Sequence, residues 1–175
     1  ILVLSCGALA AISMQLVALT TTQQSTYQTR AIQLAGELAD KIRMYSESST
    51  SNLKSEFFQK LNDSVQNVQD ISAAKNCYSE HEPCSAEEMM QFEMNEITAR
   101  IGRTLPSARL QICRDLSSSN ENGVAIDWSC AGGGSIDAPL VIKLGWNGKM
   151  DDRSDASPVG GASPKLVLNV AADSN

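Results

Sequence analysis

The sequence predicts an α+β fold in which a long N-terminal α-helix packs on a four-stranded antiparallel sheet. Two observations carry this. Residues 1–29 hold no charge and no proline, and the apolar run passes into a stretch whose apolar residues recur every three or four positions. From Ala108 onward they recur at every second position, in four separate segments. A period near 3.6 marks a helix with one buried face, and a period of two marks a half-buried strand.

Ile1 to Leu19 is nineteen residues without a charge. As a helix rising 1.5 Å per residue it spans about 28 Å, close to the roughly 30 Å of a bilayer core, so it is long enough to cross one. Two alternatives stand beside a packed or spanning helix. A cleavable secretion signal has a shorter apolar region and is not followed directly by polar helix-forming sequence. Lipidation at Cys6 is suggested by Val3, Leu4 and Ser5 before it, yet a lipidated cysteine normally begins a polar tether, and here thirteen largely apolar residues follow.

After Leu19, "TTTQQSTYQTRAIQLAGELADKIRMYSES" has no helix breaker other than Gly36. Tyr27, Ala31, Leu34, Leu38, Ile42 and Tyr45 form one stripe, while Gln28, Arg30, Gln33, Glu37, Asp40 and Lys41 lie off it. Glu37 and Lys41 are spaced as an i,i+4 ion pair. A single helix through both halves covers about 45 residues and roughly 65 to 70 Å. Its outer stripe, Tyr27, Ala31, Leu34, Leu38 and Ile42, is expected to hold a sheet. Its inner half, with Leu2, Leu4, Gly7, Leu9, Ala10, Ile12, Leu16 and Leu19, is expected to be buried in lipid or among neighbouring helices, where small residues permit close approach. The chain thus divides into 1–26, the apolar half-helix, and 27–175, a globular domain that includes the amphipathic half.

Leu53, Phe57, Leu61, Val65 and Val68 fall at helical steps and suggest a second amphipathic helix. "CYSEHEPC" then closes a short loop between Cys77 and Cys84. A disulfide across so short a loop stabilises by about 2 kcal/mol, so its use is local shape. Ser85 followed three residues later by Glu88 is a capping box, and a helix should begin there. Met89, Phe92, Ile97 and Ile101 continue its apolar face, and Pro106 ends it.

The four alternating segments are Ala108, Leu110, Ile112; Val124, Ile126, Trp128; Leu140, Ile142, Leu144, Trp146; and Leu166, Leu168, Val170, with Arg109, Gln111, Asp127, Ser129, Lys143 and Asn169 on the other face. "NENG" and "AGGG" between them supply turns, which suggests a meander. Cys113 and Cys130 flank the first hairpin and are the natural second disulfide. Strict alternation puts Cys113 on the face of Arg109 and Cys130 on the face of Trp128, so a bulge near Arg114 or an early strand end is needed. Crossed connectivities remain as alternatives.

The polar part of the chain offers little for catalysis. Five cysteines include Cys6 in the apolar run and four that can pair completely; there is no C-x-x-C, and His81 is the single histidine. Two disulfides in an oxidising compartment fit better than a zinc site, and the domain is expected to be exported. The formal net charge of -6 argues against a nucleic-acid partner. Asp151, Asp152 and Asp155 lack calcium-loop spacing, Gly132 to Gly134 lack a P-loop lysine, and no nucleophile motif accompanies His81. No catalytic residue, metal or cofactor is expected, and Trp128 and Trp146 are expected in the core.

The opening resembles the N-terminal helix of type IV pilins. "LVLSCGALAAISMQ" with "YQTRAIQLAGELADKIR" is similar to the minor pilins called PilV, the type IV pilus modification proteins, through Ala31 to Arg43. "CSAEEMMQFEMNEITARIGRTLP" extends the similarity. The resemblance implies a type IV pilin-like fold and a non-enzymatic role. It implies packing with other minor pilins and the major pilin, priming of pilus assembly, and a tip complex that can support an adhesin, hence links to adhesion and twitching motility. It also implies residence in the inner membrane of a Gram-negative bacterium with a periplasmic domain, then a cell-surface pilus, and a leader, processing site and glutamate upstream of Ile1. A minor pseudopilin of a type II secretion system and a membrane-anchored periplasmic binding domain are the alternatives.

Overall fold

The computed structural model describes residues 2–48, 75–78, 83–116, 127–130, 138–148, 161 and 163–170, with only the backbone at 2–12 and 46–48. The expected helix from Leu53 to Val68, His81, Val124, Ile126, Gly132 to Gly134 and Asp151 to Asp155 lie outside these residues. Helix α1 runs unbroken over Leu2–Ser48, 47 residues, about 70 Å at the standard rise. Gly36 does not interrupt it, and beyond the helix's own backbone and adjoining residues nothing lies within 4 Å of where a Cβ there would stand.

Helix α2 spans Ala86–Thr104. Its start is the capping box: the Glu88 amide donates to Ser85 Oγ at 3.2 Å, and the Ser85 amide donates to Glu88 Oε2 at 2.9 Å. Both free amides are thereby satisfied, and the Ser85 N–H, followed by Lys75, holds the Glu88 carboxyl below its usual range. Leu105 turns extended ahead of Pro106 and closes the helix with its N–H on the Ile101 carbonyl. Of the expected face Ile97 and Ile101 are buried, whereas Met89 is 37% exposed and Met90, Met94 and Thr98 complete the buried face instead. At the N-terminal end the buried face begins one residue later than expected, at Met90.

Three strands are present among the described residues, β1 Arg109–Arg114, β2 Leu140–Gly145 and β3 Leu166–Val170, in the order β1-β2-β3 and antiparallel throughout. The expected fourth strand is not seen in its described part: Asp127 to Cys130 is not strand, and among the described residues β1 pairs with β2. The ladder sets Leu110 opposite Leu144 and Ile112 opposite Ile142, and Ile142 in turn opposite Leu168. These side chains share one face and meet α1 and α2 there in a single core with Ala31, Leu38, Ile42, Ile97, Ile101 and Trp146. α1 packs against β2, β3 and α2. Ala35 and Ala39, each 1% exposed, were missing from the expected stripe; their short side chains bring the helix axis close to its neighbours.

Candidate functional site

Two regions hold the features that a binding or assembly role needs, the projecting part of α1 and the far face of the sheet. Along α1 the environment changes within one helix. Ala31, Leu34, Leu38 and Ile42 are buried and Tyr27 is half-buried, whereas Leu16 and Leu19 are 59% and 63% exposed, with Met14 and Val17 exposed beside them. Leu2, Leu4, Gly7, Leu9, Ala10 and Ile12 belong to the same helix, but their side chains are outside the described residues. Among the described residues no helix is long and apolar enough to cross a membrane. Between the two parts, the hydroxyls of Thr20, Thr21, Thr22, Thr26 and Thr29 donate to carbonyls one turn back, at 2.8 to 3.2 Å. This stretch therefore presents methyl groups and already-satisfied hydroxyls.

The seam between α1 and α2 is ionic at its rim. Lys41 Nζ donates to Glu93 Oε2 at 2.8 Å, and Arg100 donates to Glu37 Oε1 at 2.7 Å, so the two helices run antiparallel. The expected local Glu37 and Lys41 pair is replaced by these cross-helix pairs because α2 offers each side chain a partner on another element. Tyr45 donates its hydroxyl to the same Glu93 oxygen at 3.0 Å. Lys41 holds the Glu93 carboxyl below its ordinary value, and burial followed by the Glu93 bond pushes Tyr45 from 10.0 up to about 12. The folded state favours the protonated phenol. Its stabilisation is complete below pH 10 and is lost as pH rises from 10 through about 12. The stability difference between the wild type and Tyr45→Phe, measured by urea unfolding, is expected to shrink over that window. A difference that stays constant from pH 9 to 12 would show that the bond is absent in solution.

Before α2, Cys77 and Cys84 form a disulfide. Tyr78 stands in the loop it closes, edge-on to Phe92 with ring centres 5.0 Å apart and its hydroxyl donating to Glu96 at 3.1 Å. The bridge thus fixes a small aromatic contact on the surface of α2.

The far face of the sheet departs most from expectation. Lys143 was assigned to a wet face, yet every residue of β2 is buried and Lys143 is 0% exposed. Its Nζ lies 2.6 Å from Asp115 Oδ2, with both side chains 0% exposed, and it donates to the carbonyls of Asp127, at 3.0 Å, and Ser129. The cover is the irregular segment 127–130. Cys130 is bonded to Cys113, Gln111 donates to Cys130 Sγ at 3.1 Å, and the Arg109 guanidinium stacks 4.3 Å from the Trp128 ring centre. Trp128, placed in the core from the sequence, lies instead against Arg109 and donates its indole N–H to the Gly161 carbonyl at 3.1 Å. No bulge is needed for the second disulfide. The β1 ladder runs without interruption to Arg114, and Cys130 reaches Cys113 from a segment lying over the Arg109 face. The signal that was available is Val141: an apolar residue beside Lys143 on the supposedly wet face indicates a strand buried on both sides.

Among the described residues no group of three His, Cys, Asp or Glu could hold a metal ion. Residues 13–95, a little under half of the chain, match the family model Tt1218-like, type IV pilin Tt1218. The match supports a type IV pilin. The long N-terminal helix on an antiparallel sheet fits the type IV pilin-like α+β fold. Pilins are typically structural subunits that assemble with other pilins, found in a surface pilus or anchored in a membrane. No curated protein and no solved structure matches the chain.

Proposed function

We propose that this chain is a non-enzymatic minor pilin of the PilV kind. It packs through α1 with other minor pilins and the major pilin, primes pilus assembly, and takes part in a tip complex that supports an adhesin. One observation carries the reading: a single helix is docked on its own sheet from Ala31 to Ile42 and exposes Met14, Leu16, Val17 and Leu19 beyond it. Covering a leucine is worth about 1.5 to 3 kcal/mol, so such a row favours association with other apolar surfaces. The threonines from Thr20 to Thr29 suit the same role, since bonded hydroxyls can enter an apolar interface without an unpaired donor. In this reading residues 1–26 form the assembling half, held in the inner membrane before incorporation, and 27–175 form the globular domain, first periplasmic and then on the pilus.

The test is Leu16→Asp in the full chain. An exposed position tolerates the change in the isolated subunit, so the unfolding midpoint of the globular domain should move by less than about 0.5 kcal/mol. Buried against neighbouring helices, an unpaired carboxylate is severely unfavourable. Recovery of the variant in sheared pili, and its cross-linking to other minor pilins, should fall at least tenfold. A variant recovered in pili at the wild-type level would overturn the packing role; a wild-type chain recovered throughout the shaft in quantity would overturn the minor, tip-associated one.

A further inference from the structure

The far face of the sheet is closed by a device that the assembly role does not use. Alternate residues of β1 and its end, Arg109, Gln111, Cys113 and Asp115, each engage either segment 127–130 or Lys143. That segment has no regular secondary structure. Its carbonyls at Asp127 and Ser129 are therefore free to accept from Lys143. Among the described residues it is held by one covalent bond, one stacked cation and hydrogen bonds that include Gln111 to Cys130 and Trp128 to Gly161.

We infer that the Cys113–Cys130 disulfide is a redox latch that controls access to the Lys143 amine. With the latch closed, the amine is sealed from solvent beneath 127–130. With it open, the cover lifts, Lys143 exchanges two carbonyl acceptors for water, and it becomes available to amine-directed chemistry, while the core on the helix side stays packed. Opening is a two-electron reduction by a dithiol: the Sγ–Sγ bond breaks, Cys113 and Cys130 each take up a proton as thiols, and the dithiol becomes a cyclic disulfide. The inference does not depend on the pilin reading.

The experiment acylates the full-length protein with N-hydroxysuccinimidyl acetate under native conditions and maps the products by peptide mass. In the oxidised protein Lys143 should react at least a hundredfold more slowly than the exposed Lys165. In Cys113→Ser/Cys130→Ser, which keeps Cys77–Cys84 intact, and in protein reduced with dithiothreitol, the Lys143 rate should rise at least tenfold. The amide protons of residues 34–42 should meanwhile keep their protection from exchange. Three results would each overturn the latch: Lys143 equally protected with and without the bond, Lys143 as reactive as Lys165 in the oxidised protein, or loss of amide protection at 34–42 on opening. The last would make the disulfide a staple of the whole domain.

Discussion

Asp115→Asn is expected to lower the stability of the oxidised domain by about 3 to 5 kcal/mol, the cost of leaving one member of a fully buried ion pair without its partner. Asp115 and Lys143 are both 0% exposed, with charged atoms 2.6 Å apart. Removing the carboxylate charge leaves the ammonium with the two carbonyls of Asp127 and Ser129 and without the anion in contact with it. Lys143→Met should be similarly damaging for the opposite reason, since the buried Asp115 carboxylate then loses its cation. The double variant Lys143→Met/Asp115→Leu removes both charges and fills similar volume, so it should recover most of the loss. Against a total of about 5 to 15 kcal/mol for an ordinary domain, either single change is a large fraction. Urea unfolding of the three variants measures this directly. Single-variant losses under about 1 kcal/mol would mean that water reaches the pair and the cover is open in solution.

Leu38→Ala should cost about 2 to 5 kcal/mol through lost burial and the cavity it leaves. Leu38 is 0% exposed, in the part of α1 that lies between the sheet and α2, where Ala35 and Ala39 already bring the backbones close. Its neighbours are held by the β1-β2-β3 ladder on one side and by α2 on the other, so little collapse can fill the gap. Met14→Ala, on the same helix at a site 77% exposed, is the control and should change stability by less than about 0.5 kcal/mol. The comparison separates the docked half of α1 from the projecting half. If Leu38→Ala were as mild as the control, the sheet domain would be folding independently of its helix, and a force on the helix would not be transmitted to the domain.

The two halves of α1 differ in how far the sequence alone describes them. The docked half has a 3.6-residue period, and that period needs only local geometry to be visible. The capping box at Ser85 is equally local, because both of its hydrogen bonds join residues three apart. The disulfide Cys77–Cys84 closes a loop short enough that spacing alone suggests it. Trp128 is the counterexample. A short stretch around it alternates like a strand, but alternation does not reveal whether the stretch joins a sheet edge or lies across a face, and Asp127 to Cys130 lies over the Arg109 face without strand structure.

By itself, then, the sequence determined the unbroken helix, its two characters, the start and end of α2, the places of three of the four expected strands, and the cysteines able to pair. Only the tertiary structure decided who meets whom. Glu37 and Lys41 bond across to α2 because a partner on another helix is as near as the one on the next turn. Lys143 is buried because a segment whose alternation reads as a strand lies over it as irregular chain instead, tied by Cys113–Cys130, while the end of β1 supplies an anion. Period and spacing are properties of neighbouring residues; a buried charge is made tolerable by groups 14 to 28 positions away, and no local pattern records them.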